Sequence, residues 1–143
     1  MITIDLLIRT KQMKIFNSAS RKSSIANSDW FTGAVWQDII KESPEPARLR
    51  ALRVTFSPGS RTAWHTHPLG QTLYVIQGVG LIGVRNGEVN VIKPGDTIWI
   101  PPNEEHWHGA TNDNVMVHIA MQESLNGKTV DWLEKVTETE YLA

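Results

Sequence analysis

The 143-residue chain contains no cysteine. This absence excludes disulfide frameworks, thiolate zinc sites, cysteine nucleophiles and iron–sulfur clusters, so any chemistry must use nitrogen and oxygen donors. An excess of charge is also missing, because 14 Lys and Arg residues against 15 Asp and Glu residues give a net charge of −1. Such a chain has no long-range attraction for nucleic acid or for an anionic membrane. It contains no long apolar run either, so we expect neither nucleic acid nor a membrane as a partner.

The apolar residues at the N-terminus precede the basic ones, which is the reverse of the order in a signal peptide. We therefore expect a cytoplasmic protein. Residues 1–12 are interpreted either as an extension of a core that begins near Met13 or as an added edge strand. The following residues, 17–28, are polar and rich in turn formers, which is typical of a loop or arm.

Short β-rich segments separated by turn formers dominate the chain from Arg48 to Gln122. Residues 49–56, 71–77 and 97–100 are such segments, each bounded by Pro or Gly. Asn86-Gly87 joins two others, and this dipeptide is typical of a two-residue type I′ hairpin. Strands that follow one another without intervening helices must pair antiparallel. We predict an all-β fold, an antiparallel jelly-roll β-barrel.

The pattern changes after residue 127. Val130, Leu133 and Val136 recur at three-residue steps, which indicates helix, and Thr137 with Glu140 has the spacing of a capping box. We expect short C-terminal helices on the outside of the barrel. The predicted organisation is an N-terminal arm over residues 1–28, the barrel over residues 29–126 and a C-terminal helical segment over residues 127–143.

Four of the five histidines form two His-x-His pairs, His65 with His67 and His106 with His108. Residues i and i+2 of a strand point to the same face about 7 Å apart, so each pair can direct two imidazoles toward one ion. Two pairs beside Pro-containing turns favour a metal site. The alternative is that these are polar side chains held by hydrogen bonds inside a barrel.

The spacing of the histidines resembles the two sequence motifs of the cupin superfamily. His65 and His67 stand between Gly59 and Gly78 at the intervals of the first motif, and His106 follows a Gly- and Pro-containing stretch as in the second. The resemblance implies a small jelly-roll barrel with one metal ion inside. The ligands that it implies are His65, His67, Gln71 and His106.

Gln71 stands where most cupins have glutamate. Three neutral imidazoles and a neutral amide oxygen leave a divalent ion with its full charge, so the ion acts as a stronger Lewis acid. No ligand charge offsets a third positive charge, which favours the divalent over the trivalent state. This argument favours hydrolytic, lyase or isomerase chemistry over oxidation.

Several stretches are similar to the bacterial cupin-type hydroxynitrile lyases and to small single-domain cupins of the carboxymuconolactone decarboxylase-associated group. They are residues 30–33, 61–73, 106–110 and 131–132. The resemblance implies one divalent transition metal, with manganese favoured and iron, nickel, zinc or cobalt as alternatives. It also implies that a histidine outside the ligand set acts as a base, and His118 and His108 match such positions.

The predicted strand around His118 has a mixed face that can line a cavity. His118 and Gln122 lie on this face, and Leu52 and Val54 alternate on a neighbouring strand, so we expect Leu52, Val54 and Gln122 in the substrate pocket. Phe56 continues the alternation and is interpreted as plain core.

These observations lead to three hypotheses about function. The first is a metal-dependent lyase that cleaves cyanohydrins to small aldehydes and cyanide, or forms them. The second is an iron- or copper-dependent dioxygenase, and the third is a non-catalytic cupin that binds a small molecule. Each needs a small-molecule partner, and we expect a homodimer or homotetramer, as in the family.

Overall fold

The computed structural model describes residues 13–142, and the alternatives for residues 1–12 lie outside them. No helix within this range is long and apolar enough to cross a membrane. Residues 13–142 form a 3-10 turn at Ser18–Ser20, thirteen strands and one helix, α1 (Glu138–Tyr141). The strands are β1 (Ser23–Ile25), β2 (Phe31–Thr32), β3 (Val35–Glu42), β4 (Leu49–Phe56), β5 (Arg61–Thr62), β6 (His65–Thr66), β7 (Gln71–Gly78), β8 (Gly80–Val84), β9 (Val89–Ile92), β10 (Thr97–Ile100), β11 (His106–Ala110), β12 (Met116–Glu123) and β13 (Asp131–Trp132).

The strands form two antiparallel sheets. The first has the order β1-β3-β4-β12-β7-β10, and in the second β13-β6-β11-β5-β2 are neighbours, with β8 beside β11 and β9 beside β8. Strand β12 lies in the centre of the first sheet, paired along its length with β4 and with β7. The predicted antiparallel all-β jelly roll is confirmed.

The core lies between the two sheets because alternate residues of each strand point inward. Phe56, Leu73 and Met116 of the first sheet are fully buried there with Ala110 of the second. The outer face of the first sheet exposes large aromatic side chains to solvent. Trp36, which alternates with inward-facing neighbours on β3, is 47% exposed, and Tyr74 and Trp99 are 43% and 60% exposed.

The C-terminal segment differs from its prediction. Residues 131–132 form strand β13 rather than helix, because the Leu133 N–H donates to the Trp64 carbonyl and the Trp64 N–H donates to the Glu134 carbonyl. Pairing with a partner distant in sequence outweighs the three-residue apolar pattern here. Helix is confined to α1, which begins with the predicted capping box: the Glu140 N–H donates to Thr137 Oγ1 (3.1 Å) and the Thr137 N–H donates to the Glu140 carboxylate (2.9 Å).

This segment covers the outer face of the second sheet. Trp107 points away from the core side of β11 and packs with Trp64 against Val136 and Tyr141. The Tyr141 hydroxyl donates to the Ala110 carbonyl (2.6 Å). The C-terminal residues therefore shield the strand that carries two of the histidines.

Two turns show how local conformation is set. The type I′ turn expected at Asn86-Gly87 is absent, because only Asn86 has a positive φ (54°) and the Gly87 N–H closes a turn on the Val84 carbonyl. The hairpin loop therefore spans residues 85–88 between β8 and β9. Gly78 ends β7 with φ +81°, and a Cβ there would overlap the Val115 carbonyl oxygen.

Candidate metal and active site

Neighbouring elements of the second sheet bring the paired histidines together. His65 on β6 lies directly opposite His106 on β11, and the centroids of their rings are 4.1 Å apart. The His67 ring lies 5.0 Å from that of His65, and the His108 ring lies 5.2 Å from it. All four side chains are at most 4% exposed. The structure thus gathers four imidazoles in one buried cluster inside the barrel.

Three of these imidazoles are held in the same way. The Nδ1–H groups of His65, His67 and His106 donate to the carbonyl oxygens of Ala63 (2.9 Å), Thr129 (2.7 Å) and Glu104 (2.8 Å) respectively. A carbonyl oxygen can only accept, so Nδ1 carries the proton in each ring and Nε2 keeps its lone pair. This arrangement of a backbone acceptor behind the ring is typical of histidines that ligate a metal.

Gln71 completes the cluster from the first sheet. Its Oε1 lies 3.2 Å from His106 Nε2, and its Nε2 donates to Gln122 Oε1 (3.0 Å). Because His106 already donates through Nδ1, Nε2 of the neutral ring and the Gln71 oxygen are both acceptors. Two acceptors that face each other across 3.2 Å repel unless a cation lies between them. The donor set therefore fits a divalent transition metal.

The distances single out a somewhat different triad from the predicted ligand set. Nitrogen atoms of His65, His106 and His108 lie within 4.8 Å of one another, so these three buried histidines could hold a metal ion. His67 falls outside that group, and its Nε2 is buried without a hydrogen-bond partner. His108 differs from the other three because a histidine, and not a carbonyl oxygen, contacts its Nδ1.

His108 and His118 form a pair that joins the two sheets. His118 on β12 is fully buried, and its Nε2 lies 3.0 Å from His108 Nδ1. Phe56 packs edge-on against both rings at 5.9 Å and 5.3 Å. The other two nitrogens of the pair, His108 Nε2 and His118 Nδ1, are buried without a partner. One proton between the rings satisfies the contact, and the outer nitrogens remain free to exchange a proton.

Burial keeps the histidines uncharged. Desolvation lowers the pKa of His106 and of His118 to about 4. It lowers the pKa of His65 well below its usual value, and repulsion from His106 and His67 adds to this effect. Burial and the charge of His118 do the same for the pKa of His108. At neutral pH the imidazoles can thus bind a cation or accept a proton without first losing one.

A cavity of about 140 Å³ adjoins the imidazoles. Leu52, Val54 and Gln122, which the sequence leads us to expect in a substrate pocket, line this cavity together with His118. Phe56, interpreted from the sequence as plain core, both packs in the core and lines the cavity. Ala120, which shares the predicted cavity face of β12 with His118, also lines it. The sequence does not identify the other lining residues, which are Phe31, Gln37, Thr62, Thr129, Val130 and Trp132.

Trp132 shows why these residues were missed. It lies on β13, in the segment interpreted as helical, and its ring centroid is 4.8 Å from that of His65. It also stacks on Trp30 at 5.7 Å. Only the pairing of β13 with β6 places Trp132 at the cavity.

Comparison with known proteins agrees with this geometry. The chain is 50% identical over 129 residues to a protein of Granulicella tundricola named (R)-mandelonitrile lyase, covering 90% of this chain and 98% of that protein. A cupin-like protein of Thermotoga maritima has 39% identity and a TM-score of 0.79, over 90% of this chain and 95% of that one. The polyketide cyclase RemF of Streptomyces resistomycificus shares the fold at 19% identity, with a TM-score of 0.72 over 91% of both chains.

The family model for the cupin domain matches residues 52–121, which run from β4 to β12. This stretch includes both His-x-His pairs, Gln71 and His118. The two antiparallel sheets, the imidazole cluster between them and the similarity along nine-tenths of the sequence lead to one assignment: the chain belongs to the cupin family.

Proposed function

We propose that this cupin is a metal-dependent lyase of the hydroxynitrile lyase type, which cleaves a cyanohydrin to an aldehyde and cyanide or catalyses the reverse reaction. The observation that carries the proposal is the His108–His118 pair, buried between the imidazole cluster and an apolar cavity. The name of the relative from Granulicella tundricola supports lyase chemistry.

His65, His67, Gln71 and His106 are the proposed ligands. The three histidines share the Nδ1 contact to a carbonyl oxygen that fixes Nε2 as the free donor atom, whereas His108 is engaged by His118. A divalent ion at this site, manganese by preference, would act as a Lewis acid that lowers the pKa of a substrate hydroxyl. The neutral ligand set suits this role, because it leaves the charge of the ion unreduced.

The proton transfers fall to the histidine pair. His108 Nε2 is buried without a partner and belongs to the ring nearer the cluster, so we assign it as the acceptor of the cyanohydrin hydroxyl proton. The bond between His108 Nδ1 and His118 Nε2 spreads the resulting positive charge over both rings. As the carbon–carbon bond breaks, the hydroxyl oxygen becomes the aldehyde oxygen and the bonding electrons leave with cyanide. The same proton is then returned to give hydrogen cyanide.

The cavity restricts the substrate to a small molecule that is mostly apolar. Its volume of about 140 Å³ is close to that of an apolar cavity that binds benzene. Leu52, Val54 and Phe56 on one side and Trp132 on the other give it apolar walls. We therefore propose cyanohydrins of aromatic or short aliphatic aldehydes as the substrate class.

The test measures aldehyde and cyanide released from mandelonitrile by manganese-loaded protein, with metal-free protein as the baseline. Loss of a general base slows a reaction by about 100- to 10,000-fold, so we expect such a loss in His108→Ala at unchanged manganese content. His118→Ala removes the partner that shares the positive charge with His108 and should cause a smaller loss. Ile119→Ala is the matched control, since its side chain lies on the opposite face of β12 from His118 and Ala120, and it should retain activity.

Manganese-loaded wild type that releases no more cyanide than metal-free protein would overturn the proposal. Oxygen uptake by the iron- or copper-loaded protein with a phenol or a diketone would indicate the dioxygenase instead. Tight binding of an aldehyde with neither activity would indicate a binding protein.

We further propose that the chain forms a homodimer or homotetramer through the outer face of the first sheet. Trp36, Tyr74 and Trp99 expose 47%, 43% and 60% of their surface on this face. Together they offer on the order of 300 Å² of aromatic surface, a substantial part of the roughly 800 Å² per partner of a standard interface. A second copy of this chain is the proposed occupant.

A further inference from the structure

Gln71 can face the imidazole cluster in two ways that differ in chemistry. Its amide oxygen can bind a cation, whereas its NH2 group cannot. In the structure the oxygen lies toward His106 Nε2 at 3.2 Å, and the NH2 group points away from the cluster. A neutral amide can act as a ligand only in this orientation.

Gln122 is the residue that contacts the other end of this amide. Gln71 and Gln122 stand directly opposite each other on β7 and β12, with side chains on the same inner face. They are 4% and 7% exposed, and Gln122 Oε1 accepts from Gln71 Nε2 at 3.0 Å. The acceptor atom of Gln122 thus holds the NH2 group of Gln71 outward.

The opposite arrangement is chemically possible without an ion. If both amides turned over, Gln122 would donate to the Gln71 oxygen, and the Gln71 NH2 group would donate to the lone pair of His106 Nε2. Without an ion that arrangement makes two hydrogen bonds where the observed one makes a single bond, and it presents a donor to the cluster. The hydrogen-bonding chemistry at position 122 therefore decides which face of Gln71 meets a cation.

We propose that Gln122 is a positioning residue for metal binding: by accepting from the Gln71 NH2 group, it directs the Gln71 oxygen into the imidazole cluster. The inference rests on the proposed function, since it takes Gln71 as a ligand together with His65, His67 and His106. It extends the role of Gln122 beyond lining the cavity.

The experiment measures the affinity for Mn²⁺ alone, from the electron paramagnetic resonance signal of the free ion during titration. Partners that orient a ligand contribute about 10- to 100-fold to metal affinity, and we expect a loss of this size in Gln122→Met, which removes the acceptor at similar size. Gln122→Glu keeps an acceptor and cannot donate in the reverse arrangement, so its affinity should equal or exceed that of the wild type. Met121→Leu, on the outer face of β12, is the matched control.

The decisive comparison repeats Gln122→Met in the Gln71→Glu background. A carboxylate presents an oxygen to the cluster whichever way it turns, so the loss of affinity should disappear there. A merely structural effect of Gln122→Met would lower the affinity in both backgrounds, and that result would overturn the inference.

Other outcomes separate this inference from the proposed function. Wild type that binds no Mn²⁺ would contradict the ligand set itself. Wild type that binds Mn²⁺ with the same affinity as Gln122→Met would contradict only the role of Gln122. If Gln122→Met does not fold, Gln122→Glu alone decides, and an affinity below that of the wild type would overturn the inference.

Discussion

Lowering the pH should destabilise the metal-free protein, and the loss should begin at pH values well above those at which carboxylates titrate. Burial lowers the pKa of His106 and of His118 to about 4, whereas an exposed histidine in the unfolded chain titrates near 6.5. Between these values the unfolded state binds a proton that the folded state excludes. The free energy of unfolding is therefore unaffected above about pH 6.5 and falls as the pH drops below it.

The size of the effect follows from the two pKa values. Each histidine lowers the free energy of unfolding by up to about 1.4 kcal/mol per pH unit, or about 2.5 kcal/mol between pH 8 and 4.5. His106 and His118 together remove about 5 kcal/mol, which is comparable to the whole stability of many domains. The lowered pKa values of His65 and His108 add to the loss.

Urea denaturation of the metal-free protein at pH values from 8 to 4.5, followed by tryptophan fluorescence, measures this dependence. His118→Phe removes one titrating group, so its stability should fall by about 1.4 kcal/mol less per pH unit below 6.5, whatever its stability at pH 8. The reasoning would be refuted by a wild-type free energy of unfolding that is constant between pH 7 and 4.5. An equal slope in His118→Phe would refute the assignment to His118.

Three further predictions concern the fold, the cavity and the assembly. Gly78→Ala should lower the free energy of unfolding by at least about 2 kcal/mol in urea denaturation, because φ at Gly78 is positive and the added Cβ meets the Val115 carbonyl. A loss below about 0.5 kcal/mol, which is typical of surface substitutions, would contradict this. Val54→Phe fills part of the cavity of about 140 Å³ and should raise the KM for mandelonitrile by about tenfold or more, and the KM for a short aliphatic cyanohydrin by less. Equal changes in both KM values would contradict the assignment of Val54 to the cavity wall. Trp99→Lys should shift the protein to a smaller species in analytical ultracentrifugation with little change in stability, and an unchanged species would exclude Trp99 from the interface.

The strands were predictable where their sequence pattern is local. Residues 49–56 and 97–100 form β4 and β10 with the expected bounds, because two-residue alternation and turn formers act within a single segment. The same two-residue period places the two histidines of each His-x-His pair on one face of a strand, so the sequence alone could indicate the histidine cluster. Spacing along a strand fixes which side chains share a face.

Features that depend on contacts between distant segments were not predictable in this way. Trp132 reaches the cavity only because β13 pairs with β6, and the carbonyl of Thr129 meets His67 across 62 residues. The contact between Gln71 and Gln122 spans 51 residues and depends on the register of β12 against β7. No local pattern contains these registers, so neither the cavity wall nor the orientation of the amide follows from the sequence.

The two sheets divide the site between them, and this division bears on how the protein can evolve. His65, His106 and His108 belong to strands of the second sheet, whereas Leu52 and Val54 belong to the first. Substitutions in the wall can therefore accumulate without moving the imidazoles.

Among the polar side chains of the site that the structure describes, two contacts bridge the sheets: Gln71 with His106 and His118 with His108. A lineage that keeps these bridges can reshape the cavity by single substitutions on the first sheet. The same separation gives an engineer a set of positions that can be randomised while the imidazoles of the second sheet stay in place.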